Sequence, residues 1–78
     1  MNETNKQAIL DFVNERPAEF LARINGQRTI RENVEGIGTV TFARNFVSGG
    51  VQVYFSGETL RLDMADCRWV FAQQTTLV

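Results

Sequence analysis

Val51-Gln52-Val53-Tyr54-Phe55, Leu60-Arg61-Leu62-Asp63-Met64 and Cys67-Arg68-Trp69-Val70-Phe71 are three short runs in which every second residue is apolar. A period of two sends alternate side chains to opposite faces of an extended strand, so each run can cover a core with one face and meet water with the other. Ser48-Gly49-Gly50 precedes the first run, Ser56-Gly57-Glu58 separates the first from the second, and Ala65-Asp66 separates the second from the third. Strands this short, joined by turns this tight, predict an antiparallel meander. Val53, Phe55, Leu62, Met64, Trp69 and Phe71 are then expected inside, with Gln52, Tyr54, Arg61 and Arg68 outside.

Working upstream, residues 39–47 read as a longer strand with Val40, Phe42 and Phe46 on one face. Arg44 falls on that same face. A β-bulge that re-aims its side chain, or a strong bend that carries it to the rim, is preferred over a buried ion pair, because buried charge is costly unless fully partnered. Gly36-Ile37-Gly38 is a turn, and Arg28–Val34 is a weak, polar strand. The two glycines match the start of a dinucleotide fingerprint, but Thr41 replaces its third glycine and a strand follows where a helix would have to hold the phosphates.

Residues 4–15 read as a helix, opened by a Thr4–Gln7 capping box, with Ile9, Phe12 and Val13 on one face. Arg16 precedes Pro17 and is pushed out of the helical region, which ends the helix. Residues 17–25 admit two readings. As a helix, Pro17 takes the first position, Phe20, Leu21 and Ile24 form the apolar face, and Asn25-Gly26 ends it; as a strand, Phe20, Ala22 and Ile24 alternate and Asn25-Gly26 makes a hairpin turn. The helix is favoured by the content of Ala, Glu and Leu. The expected fold is therefore α+β: one or two N-terminal helices packed on a curved antiparallel sheet of four to five strands. It is a single domain over residues 1–78, helical over 4–25 and a meander over 28–72, with 73–78 a tail.

Seventy-eight residues with 44% hydrophobic side chains and six Phe support one small core. Eight basic against nine acidic residues give a formal charge of −1, which supplies no general attraction to phosphate or anionic lipid. The charges are unevenly placed. Residues 1–20 hold Lys6 and Arg16 against Glu3, Asp11, Glu15 and Glu19, whereas residues 21–50 hold Arg23, Arg28, Arg31 and Arg44 against Glu32 and Glu35. Histidine is missing, which removes the usual general base and the commonest zinc ligand. The single cysteine, Cys67, shares a strand face with Trp69 and Phe71 and is expected to be buried and inert. No metal or other cofactor is expected. The pairs Glu32/Glu35 and Asp63/Asp66 read as solvated rim rather than as acid–base couples. A start without a basic-then-apolar leader, and no long apolar run, lead us to expect a cytoplasmic protein.

A helix followed by short, bent strands resembles the Sm-like and SH3-like small barrels, whose last two strands are joined by a tight turn. Leu60–Met64, Ala65-Asp66 and Cys67–Phe71 carry that outline, and the polar segment Arg28–Gly36 departs from it. Val51-Gln52-Val53-Tyr54 also resembles the active-site segment of the plasmid-type dihydrofolate reductases. Phe55-Ser56-Gly57 stands here in place of that family's proline-containing turn.

An outward tyrosine among arginines suits an anchor for a protein or a platform for a base. Tyr54, Arg61, Arg68 and the misplaced Arg44 are thus the candidate binding residues. The expected function is a small non-enzymatic protein-binding module, of the type of the inhibitors that phages and mobile elements use to mask a partner protein, or a module that binds itself. The alternatives are a nucleic-acid-binding small barrel using its surface arginines, and an oligomeric enzyme with a site between subunits.

Overall fold

The computed structural model describes residues 1–47 and 49–72. Two helices, α1 (Glu3–Asn14) and α2 (Pro17–Gln27), precede five strands: β1 (Thr29–Val34), β2 (Gly38–Arg44), β3 (Val51–Phe55), β4 (Glu58–Ala65) and β5 (Arg68–Phe71). The strands form one antiparallel sheet in the order β1-β2-β3-β4-β5, a pure meander. The sheet stays open, with β1 and β5 at its edges, so the small-barrel closure suggested by the resemblance is not formed. No helix among the described residues is long and apolar enough to cross a membrane.

Local chemistry accounts for each element. Asn2, rather than the Thr4 box, starts α1: its side chain accepts from the Asn5 amide at 2.8 Å, the service an N-cap provides to an unpaired donor. Gln7, the other half of the expected box, donates instead to Asp11. Arg16, held outside the helical region before Pro17, ends the first helix, and Pro17 opens α2. The helical reading of 17–25 is therefore the realised one, and the helix runs on through Asn25-Gly26 to Gln27. Its exit falls on Arg28, whose amide caps Ile24 O at 2.9 Å and whose φ is +69°. The left-handed region disfavours a residue bearing a Cβ by about 1–2 kcal/mol, more than the ~0.5 kcal/mol of an exposed cation–π contact that Arg28 gains there. Arg28→Gly is therefore expected to raise the urea midpoint; a lowered midpoint would show that the side chain's contacts outweigh the strain.

Two-residue hairpin turns connect the last three strands. Ser56-Gly57 links Phe55 to its partner Glu58, and Asp66-Cys67 links Ala65 to Arg68, all four turn residues having positive φ. That pattern suits the right-handed twist of the flanking strands. It also corrects the expectation for Cys67: the thiol sits at a turn tip and is exposed, because the strand begins only at Arg68.

The helices cover one face of the sheet. Ile9 and Val13 of α1 and Phe20 and Ile24 of α2 pack with Ile30, Val34, Val40, Phe42, Val51, Val53, Leu62 and Trp69 as the buried core. Phe20 meets both Phe42 and Trp69 edge-on, with centroids 5.1 and 5.5 Å apart, while Phe12 stacks on Phe42 at 6.0 Å. Of the expected inward residues, Val53, Leu62 and Trp69 are buried and Phe55 and Phe71 are half-buried. Met64 lies 37% exposed on the inner side, beyond the reach of the helices. The edge strand β5 is closed by a side chain. Asn14 donates its amide to Trp69 O at 2.9 Å and accepts from Trp69 N at 2.6 Å, imitating a neighbouring strand at the end of α1.

Candidate functional site

The face of the sheet turned away from the helices has no element covering it among the described residues, and its composition follows from register. Arg31, Thr41, Tyr54 and Thr59 lie side by side in one row across β1 to β4. The next row holds Thr29, Ala43, Gln52 and Arg61. Beyond it Asp63 faces Val70, and then Ala65 faces Arg68. Tyr54 and Val70 are the large apolar groups of this face, 41% and 39% exposed.

Tyr54 is oriented rather than free to swing, because its hydroxyl donates to Gln52 Oε1 two residues earlier on the same face. Arg61 lies along the face and donates to Asp63 at 2.9 Å. Gly50 makes room for that pair: a Cβ there would stand 2.6 Å from Arg61 Nε and 2.8 Å from Asp63 Oδ1. The result is an uncovered face on which Tyr54 lies one row from Arg61, Arg61 pairs with Asp63, and Val70 stands opposite Asp63. Such a surface has the aromatic anchor and apolar contact area of a protein interface, with its most prominent cation already balanced.

Of the four residues singled out from sequence, Tyr54 and Arg61 share this face on adjacent strands. Arg68 is on the same face but opposite Ala65, six residues along β4 from the Thr59 that pairs with Tyr54. At the rise of a strand that separation is about 20 Å, so one small ligand cannot touch both.

Arg44 belongs elsewhere. Pairing runs without interruption from Thr41↔Tyr54 to Arg44↔Val51, so no bulge re-aims it, and it makes no ion pair among the described residues. It stays on the inner face at the last position of β2, where the core gives out, and its guanidinium lies 5.8 Å from the centre of the Phe46 ring. Arg44 Nε is buried without a hydrogen-bond partner.

Phe46 is the larger departure from the sequence reading. The strand ends at Arg44 because Asn45 folds the chain back, its side chain accepting from Val47 N at 3.0 Å and its carbonyl from Gly49 N at 2.8 Å. Phe46 is consequently 61% exposed instead of buried, and Val47 is 99% exposed. Arg28 approaches the same ring at 5.5 Å. Asn45 ahead of Ser-Gly-Gly was the available signal, masked by the alternation of Val40, Phe42, Arg44 and Phe46.

No family model matches the chain, and comparison with curated proteins and with solved structures finds no significant match. The residues themselves are what bears on function.

Proposed function

We propose that the protein is a non-enzymatic binding module that works in the cytoplasm and uses the outer face of its sheet to cover a surface of a partner protein. The observation that carries this reading is Tyr54: a partly exposed aromatic, hydrogen-bonded to Gln52, on an uncovered sheet face that also carries the Arg61–Asp63 pair and, further along, Val70. Aromatic anchors that keep their bound geometry before contact lose little side-chain entropy on binding. Masking a partner, as the small inhibitors of phages and mobile elements do, requires only such a face.

Nucleic-acid binding is the weaker reading. Arg16, Arg23 and Arg61 are each paired with a carboxylate of the same chain, and the overall charge is −1. Phosphate contact depends on unneutralised cations tracking the backbone.

The test is affinity capture with the intact chain and with Tyr54→Ala and Val70→Lys, both surface positions whose replacement should leave the fold intact, the lysine facing Asp63 across the strands. One dominant protein should be retained by the parent and released by both variants, with affinity for the purified partner falling about 30-fold for Tyr54→Ala. Retention by both variants would remove the outer face from consideration. Recovery of nucleic acid in place of protein would favour the alternative.

A further inference from the structure

We infer that the chain associates with itself head to tail, the Phe46 corner of one copy entering a hollow beside α1 of the next. Among the described residues, ion pairs engage Glu3, Glu19, Glu32, Glu58 and Asp63. Three of the remaining carboxylates, Asp11, Glu15 and Glu35, gather around one hollow of about 320 Å³, whose other lining residues are Ala8, Phe12 and Val34. That is room for about ten waters' share of liquid, over a partly apolar floor, with no cation among the described residues that line it.

Arg28 and Arg44 carry no ion pair among the described residues, and both guanidiniums lie within 6 Å of the Phe46 ring. The corner is thus an exposed aromatic flanked by cations, and the hollow is an aromatic-floored recess flanked by carboxylates. Each is the complement of the other. Phe46 seated against Phe12 would extend the cluster that Phe12 already forms with Phe42 and Phe20, and the guanidiniums would meet the carboxylate rim.

One chain cannot satisfy itself in this way. Arg28 stands immediately before β1 and Glu35 immediately after it, so the two features lie at opposite ends of a six-residue strand, about 20 Å apart. A contact between two different surfaces of identical chains is heterologous, so it either closes into a ring or continues as an open chain. The surface used is distinct from the outer sheet face, and self-association leaves Tyr54 available to a partner.

Sedimentation velocity on the full chain tests the inference, with Phe46→Ser and Glu35→Arg as variants at exposed positions and Trp69 fluorescence confirming the fold of each. The parent should associate increasingly with concentration at low salt and dissociate as salt rises. Each variant alone should associate at least about tenfold more weakly. Mixed together they should form a 1:1 dimer, because Phe46→Ser keeps an intact hollow and Glu35→Arg keeps an intact corner. Arg28→Gly should weaken association while stabilising the monomer, a combination that a merely structural role would not produce. A parent that is monomeric at every concentration and salt, or an oligomer that survives both variants, would overturn the inference.

Discussion

Trp69→Ala is expected to remove about 3–5 kcal/mol of stability. A domain of this length has roughly 4–12 kcal/mol in total, so the variant should be largely unfolded or melt far below the parent. The size of the effect follows from how much converges on one side chain. Trp69 is 1% exposed, meets Phe20 edge-on, and donates its indole N–H to Pro17 O at 3.3 Å. It therefore ties the edge strand β5 to the start of α2. Trp69→Phe separates the two contributions, retaining an aromatic ring while losing the long hydrogen bond, and should cost less than half as much. Urea titrations followed by circular dichroism measure both. A Trp69→Ala midpoint equal to the parent's would mean that the helices do not depend on β5 for their packing.

The second large effect is expected at Asn14, a residue that nothing in a hydrophobic pattern marks. Its side chain satisfies both the N–H and the C=O of Trp69 on the free side of β5. Asn14→Ala leaves two part-buried backbone groups unpaired and should destabilise by about 2–3 kcal/mol. It should also uncover a strand edge, so light scattering of the folded variant is expected to rise with concentration as edges pair between molecules. Asn14→Asp keeps the acceptor for Trp69 N but cannot donate, when ionised, to Trp69 O, and should recover only part of the loss. If Asn14→Ala unfolds at the parent's midpoint and stays monodisperse, the amide is not what closes the edge.

Trp69 and Asn14 illustrate how much of the fold was open to reading. Alternation in Val51–Phe55, Leu60–Met64 and Cys67–Phe71 is local information, and all three runs became strands in a simple meander, the third only from Arg68 onward. Pro17 and the flanking helix formers likewise decided a short segment in favour of α2. The same alternation misled where it ran past its own end: Phe46 continues the apolar set of β2 on paper, but the Asn45 turn intervenes and no helix extends over it. Cys67 failed for the corresponding reason at the start of β5, where a turn residue was counted as a strand residue.

The candidate site divides along the same line. That Tyr54, Arg61 and Arg68 face away from the core follows from a period of two, because burying their neighbours Val53, Leu62 and Trp69 leaves them no other direction. Which of them can act together is not a property of any one strand. Register places Tyr54 beside Thr59 and Arg68 beside Ala65, and Asp63 takes Arg61 as its partner. The amino-acid sequence by itself determined the helix-then-meander order and the sidedness of β3, β4 and β5, because periodicity and turn chemistry act over a few residues. Only the tertiary structure decided which charges are paired, why Arg44 stays on the inner face, and how Arg28 and Arg44 meet around Phe46. Those depend on where the helices stop covering the sheet and on residues 16 apart in the chain, Arg28 and Arg44, being joined by a hydrogen bond from Arg44 N to Arg28 O at 2.7 Å.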